Sequence, residues 1–250
     1  MTTGVMRQEF PKFDDFNDSN NDKSFNSGNL IDNGQIFADN VAMDGMSTDV
    51  ANEVAVSVGD GGRIARLVGD DYRRNDGWNE VSDSQSVTTE LLNSVSNNGS
   101  GTWVAVGVNG VIIISTDGGQ TWNTATDSQT TTTNNLQSVW YDVGSDVWVA
   151  VGDSGTIVRS LDGDTWSLAN DSGSVTTKGL EALSSDGSGS WAAAGDDGVI
   201  IKSPDGDNWT NATDSQTTTT ENLRTIRSDN NSNWIAAGWN QGGNNNHVIF

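Results

Sequence analysis

Apolar and polar positions alternate down this chain in one repeated order. A run led by tryptophan and closed by glycine appears as WVAVG from Trp103, WVAVG from Trp148, WAAAG from Trp191 and WIAAG from Trp234. A degenerate first copy, VAVSVG, spans Val54 to Gly59. Successive tryptophans lie 45, 43 and 43 residues apart. A fixed period of this size marks a solenoid, propeller or array. Before each run stands the pattern apolar-x-x-apolar-x-x-Asp/Asn, read as an innermost strand: Met43/Met46/Asp49, Leu92/Val95/Asn98, Leu136/Val139/Asp142, Leu180/Leu183/Asp186 and Leu223/Ile226/Asp229. After it comes a tight turn, GDGG, GVNG, GDSG or GDDG, where glycine beside Asp or Asn supplies the positive φ of a two-residue hairpin. A further apolar strand such as VIIIS or TIVRS follows.

The fourth part of each unit opens on a second tryptophan and runs through a Ser/Thr-rich stretch such as WNTATDSQTTTT. Trp78, Trp122, Trp166 and Trp209 each precede the next inner strand by fourteen residues. That constancy, with the strand preference of β-branched threonine, predicts ordered structure rather than a low-complexity tail. Four short antiparallel strands per unit describe a propeller blade. Five inner strands predict an all-β, five-bladed β-propeller over residues 29–250. Small inner residues and large outer tryptophans suit wedge-shaped blades. The last unit ends at His247 to Phe250 without its second tryptophan. The segment NLIDNGQIFADN (29–40) resembles the missing piece and is expected to complete the C-terminal blade, closing the ring and removing an open edge. Residues 1–28 do not fit the repeat. Phe10, Phe13, Phe16 and Phe25 stud an Asn/Asp-rich arm, expected to be extended and to anchor a partner.

Charge changes the picture of the surroundings. Thirty-four acidic residues face twelve basic ones, a net charge of −22, and only four of the basic residues are lysines. At moderate salt so much like charge pushes a compact chain apart. In molar salt the screening length falls to about 3 Å and the repulsion fades. This composition predicts a high-salt cytoplasm such as that of a haloarchaeon. It argues against a nucleic-acid partner, because phosphates would be repelled. The chain has no cysteine, which excludes disulfide and thiolate-metal sites. Its first residues lack the apolar core of a signal peptide, and no run reaches the ~18 apolar residues of a membrane helix. No membrane insertion is expected, and the chain is expected to stay in the cytoplasm or leave it inside a particle.

Catalysis needs a base and a nucleophile held together. The single histidine, His247, has no evident partner, and the hydroxyls belong to repeat positions. No enzymatic activity, cofactor or metal is therefore expected. The pairs Asp162/Asp164 and Asp205/Asp207 are read as turn caps rather than calcium ligands. A secondary reading, set against that expectation, has Asp49, Asn98, Asp142, Asp186 and Asp229 ring one channel mouth and attract a cation. Departures from the repeat are more informative. Trp140 and Tyr141 stand where other units hold Ser, Asn or Arg, and Trp140 is read as packing. Trp239 lies in the last turn, and Tyr72, Arg73 and Arg74 in an insertion of the first unit. These four are the candidate contact surface for protein or glycan.

The stretch STDGGQTW (Ser115 to Trp122) matches the pattern S-x-D-x-G-x-T-W, and shorter versions recur in register as SLDGDTW from Ser160 and SPDGDNW from Ser203. From about residue 29 onward the chain resembles the Asp-box, or BNR-like, β-propellers. That resemblance implies a structural hairpin in which Asp117, Asp162 and Asp205 bind turn amides and the tryptophan packs between blades. The first unit departs, with LVGDDYRRNDGW in place of a box. Sialidases share the box but look larger and need an arginine triad and a tyrosine nucleophile; that activity is rejected here. Photosystem assembly propellers share the style of the repeat but look seven-bladed with a basic patch. Five-bladed lectins and viral spikes are similar in other respects. The leading expectation is a non-enzymatic structural or adhesion component of a haloarchaeal virus particle: a spike, turret or tail-associated propeller. Its arm would dock on other virion proteins, within an oligomeric assembly, and its propeller would face host glycan or protein. The alternatives are a cytoplasmic scaffold or assembly-factor propeller of a halophile, and a glycan-binding lectin.

Overall fold

The computed structural model describes residues 31–32, 35–36, 43–69, 78–82, 84–212, 220–229 and 233–238. Strands β1 (Ile31–Asp32) and β2 (Gln35–Ile36) pair with each other. Four antiparallel meanders of four strands follow. The first sheet is β3 (Met43–Asp49), β4 (Val54–Gly59), β5 (Ile64–Val68) and β6 (Trp78–Glu80). The second is β7 (Leu92–Asn97), β8 (Trp103–Gly107), β9 (Ile112–Ser115) and β10 (Asn123–Thr124). The third is β11 (Leu136–Asp142), β12 (Val147–Gly152), β13 (Ile157–Ser160) and β14 (Ser167–Leu168). The fourth is β15 (Leu180–Ser185), β16 (Trp191–Gly195), β17 (Ile200–Ser203) and β18 (Thr210–Asn211). The fifth is described by β19 (Leu223–Ser228) and β20 (Trp234–Gly238). Five sheets in the expected order are thus present. Among the described residues no ladder joins β1 or β2 to β20. The inner strands β3, β7, β11, β15 and β19 pack side by side in sequence, and no comparable packing of β3 on β19 is found among the described residues.

The inner strands carry their apolar residues three apart, which a regular strand would send to opposite faces. Each contains a bulge that resolves the conflict. The register slips between Leu92 and Ser94, between Leu136 and Ser138, and likewise in every other inner strand. One extra residue turns a spacing of three into an effective two, so Leu92 and Val95 both enter the same core. The second strands of the first four sheets are buried on both faces, which explains their unbroken apolar runs. Trp103 and Ala105 pack against Val54, Val56 and Val58 of the first sheet. Val104 and Val106 point the other way, against Leu136 and Trp148 of the third. The core is therefore a series of sandwiches between sheets, each filled by the tryptophans of the later one.

In the first four sheets the turn after the second strand places two successive residues in the left-handed region, Asn109 (φ 57°) and Gly110 (φ 71°) in the second sheet. At Gly110 a Cβ would also lie 2.0 Å from the Thr132 carbonyl, so this position needs glycine twice over. The Ser/Thr-rich stretch differs from expectation. In the first sheet a three-residue strand is followed by a single helical turn, Ser84–Val87, while in the second and third the strand is confined to two residues and the rest is turn. Hydroxyls take over the hydrogen bonding there: Ser128 Oγ accepts the Ile112 amide (2.9 Å), and Thr131 Oγ1 donates to the Trp166 carbonyl (3.1 Å). Side chains that bond nearby backbone groups compete with strand ladders.

The Asp-boxes cap the hairpins after β9, β13 and β17. Asp162 Oδ1 accepts the amides of Asp164 (2.9 Å) and Thr165 (2.7 Å), and Oδ2 accepts the Thr165 hydroxyl (2.7 Å). Asp205 is held in the same way by Asp207 and Asn208. Neighbouring sheets are then joined reciprocally. Asp164 accepts the Thr126 amide and hydroxyl from the second sheet (both 2.9 Å), while Asp127 of that sheet accepts the Trp166 amide (3.1 Å). Asp207 with Asn170, and Asp171 with Trp209, repeat the pair one sheet later. The second aspartate of each DGD is thus committed to this joint.

Burial alone would raise the Asp162 and Asp205 carboxyls, but the converging amides, hydroxyls and side-chain amide outweigh it and bring both to about 2. The unfolded chain takes up these protons near 3.8, before the folded one does. The stabilisation is therefore complete above the unfolded pKa and is lost as pH falls toward 2. Calorimetry should show a melting temperature that drops between about pH 5 and pH 2. The double variant Asp162→Asn, Asp205→Asn should flatten part of that slope. An unaltered slope would exclude the boxes as its source.

Candidate functional site: an aromatic pocket at the inner hairpins

A shallow depression of about 340 Å³ opens where the inner hairpins of the second, third and fourth sheets converge. Its lining includes Asn97 and Gly99 from the second sheet, Trp140, Tyr141 and Val143 from the third, and Ser185 and Gly187 from the fourth. The third sheet makes it unlike a plain repeat. Trp140 occupies the inner-strand position held by Ser96, Ser184 and Arg227 in sheets two, four and five. Tyr141 stands where Asn97, Ser185 and Ser228 do. Trp140 does pack against the core between sheets three and four, as its place in the repeat implies, and it also lines the pocket. Val143, on the turn, is 74% exposed.

Electrostatics orient the two rings. The Arg227 guanidinium lies 5.3 Å from the Trp140 ring centroid. It reaches there from the equivalent position two sheets away, and donates to its own Ile226 carbonyl (2.8 Å). Such a stack draws on the negative face of the indole. The Tyr141 ring lies 4.8 Å from that of Trp148, tilted by 48°, and its hydroxyl donates to Asp146. Burial, then that bond and the charges of Asp146 and Asp142, push the phenol up to about 12. Tyr141 is therefore a proton-bearing donor at neutral pH, not a nucleophile.

The acidic ring expected at the channel mouth is something else in the structure. Buried Asp142 accepts the Ser145 amide (2.7 Å), the Ser145 hydroxyl (3.0 Å) and the Gly189 amide of the next sheet (3.2 Å). Asp186 accepts the Ser188 (2.8 Å) and Ser190 (3.1 Å) amides. Asp49 and Asp229 bind Asn52 and Asn233, and Asn98 binds Ser100 and Thr102. These residues cap hairpins, so their oxygens are spent on turn amides rather than offered to an ion. Among the described residues no cluster of three acids or histidines is arranged to hold a metal. None of their helices is long and apolar enough to cross a membrane. The other candidates, Tyr72, Arg73, Arg74 and Trp239, the arm residues Phe10, Phe13, Phe16 and Phe25, and His247 lie outside the described residues.

Residues 45–161 match the family model described as photosynthesis system II assembly factor YCF48. No curated protein matches the chain. Among solved structures, YCF48 from Cyanidioschyzon merolae is similar over 83% of this chain and 71% of its own, at 16% identity and a TM-score of 0.57. The structure of YCF48 bound to D1 peptide is similar over 76% of this chain at 17% identity and a TM-score of 0.53. The WD40 β-propeller domain of Doa1 is similar over 78% at 16% identity and a TM-score of 0.56. The chain spans 59% and 62% of the lengths of these last two. These matches correct the virion reading: the family model that fits residues 45–161 describes an assembly factor and not a virion protein, and a haloarchaeal viral or high-salt origin draws no support from them. What the similarities carry is a BNR-repeat propeller whose first half is like that of an assembly factor.

Proposed function

We propose that this protein is a non-enzymatic assembly-factor propeller that holds a polypeptide segment of a partner protein in the pocket of Trp140, Tyr141 and Val143. The observation that carries this reading is the break in the repeat. In sheets two and four the equivalent inner-strand positions are small or amide side chains, whereas the third sheet presents two aromatics and an exposed valine at one depression. Aromatic side chains in a concave site are the common anchors of protein contacts. The similarity of residues 45–161 to an assembly-factor model, and the D1 peptide bound to one similar propeller, support the same class of role. The one phenol among the described residues is held protonated, which supports binding over nucleophilic chemistry.

Val143 suits the test because it is exposed, so a charge there leaves the core intact. Cross-linking and affinity purification of the tagged chain from its native cells, compared with Val143→Glu, should show one protein depleted at least several-fold with the variant. An identical set of co-purified proteins would sink the reading.

A further inference from the structure

We infer that the segment held in this pocket is basic: an apolar side chain seats against Val143 and Tyr141, and a neighbouring arginine or lysine takes the Trp140 face where Arg227 now lies. This rests on the reading of the pocket as a polypeptide site and adds its partner's chemistry. Three observations converge. The Arg227 guanidinium already occupies the indole face at 5.3 Å, which shows that a cation fits there. Arg227 comes from another sheet and is itself exposed, so it can be displaced without opening a core. The rim then selects by charge. Asp146 is exposed and accepts the hydroxyl of Tyr141, which lines the pocket, and Asp142 and Asp186 adjoin the lining residues Tyr141, Val143, Ser185 and Gly187 in the chain. The whole chain adds a net charge of −22. An acidic segment would meet repulsion from these carboxylates and from the net charge of the chain, with Arg227 alone to attract it, whereas a basic one gains both steering and a cation–π contact.

The test uses the full chain and fluorescence anisotropy. One labelled probe carries a central leucine between lysines and arginines; its counterpart carries aspartates and glutamates instead. The basic probe should bind, weaken as salt is raised, and exceed the acidic one by at least about tenfold, a difference that one or two desolvated cation contacts supply. Trp140→Leu should weaken the basic probe by about tenfold. Arg227→Ala, which vacates the ring, should strengthen it several-fold. Circular dichroism confirms that each variant is folded, and Arg227→Ala keeps the test open should Trp140→Leu fail to fold. Equal binding of the two probes, preference for the acidic one, or binding of neither overturns the basic occupant. So does an Arg227→Ala variant that binds no better. The co-purification comparison at Val143 is independent of probe charge, so it can still uphold a polypeptide site when the basic occupant fails.

Discussion

Trp148→Ala is expected to lower the unfolding free energy by about 3–5 kcal/mol. The ring is 2% exposed and fills the sandwich between the second and third sheets, among Val104, Ile114, Val139 and Ala150. It also meets Tyr141 at a tilt, a contact of about 0.5–1.5 kcal/mol beyond its area. The surrounding backbone is fixed by ladders on both sides, so the cavity has little room to collapse. Trp234→Ala, at the same repeat position in the fifth sheet, is the control. That ring is only half-buried, and its loss should cost well under half as much. Urea unfolding of both variants reads the difference. Equal midpoints would mean that the tryptophans do not fill the sheet interfaces. Loss of the Trp148 ring should also release Tyr141 and weaken the probe binding described above.

Gly152→Ala should be about as damaging, at about 3 kcal/mol or more, through sterics alone. The backbone here is extended, so no unusual torsion is involved. A Cβ would stand 1.9 Å from the Asn135 carbonyl and 2.9 Å from the Leu136 Cα. Neither atom can give way. The Asn135 carbonyl accepts the Asp153 amide (2.9 Å), and its side chain is tied to Asp153 and to the Asn109 amide of the preceding sheet. Moving it breaks the start of the inner ladder and a joint between sheets together. Gly107, Gly195 and Gly238 close their strands against the equivalent carbonyls of Leu91, Gly179 and Asn222 at 1.9–2.0 Å from an added Cβ. A thermal midpoint within a few degrees of the parent would show that the hairpin yields instead.

The repeat made the architecture legible because each blade needs the same residues at the same places. Trp103, Trp148 and Trp191 are buried where the pattern put them, and Asn109, Ser154 and Asp197 take the positive φ that the turn residues imply. Two features lay beyond one-dimensional reading. The three-residue spacing of the inner strands makes sense only with a bulge, which depends on the partner strand. The threonine run looks like strand by propensity and becomes turn, because its hydroxyls find backbone partners in the neighbouring sheet. For the site, Trp140 and Tyr141 stood out as departures, but nothing in the order of residues says that Asn97, Gly99 and Gly187 surround them or that Arg227 crosses to one of them. The aspartates of the hairpins misled for a related reason: their position is visible in sequence, but the amides that use up their oxygens are not. Composition describes the solvent a chain tolerates more than its task, which is why the acidic balance pointed to a particle that the comparisons do not support.

The reciprocal joints between sheets bear on how such a protein can change over generations. The third and fourth units each bring an acceptor for the unit before them, and the second and third each bring a loop for the unit after them. Tandem duplication of the third unit therefore leaves no orphaned half, because the new seam would carry the same acceptor and the same loop as the two it copies.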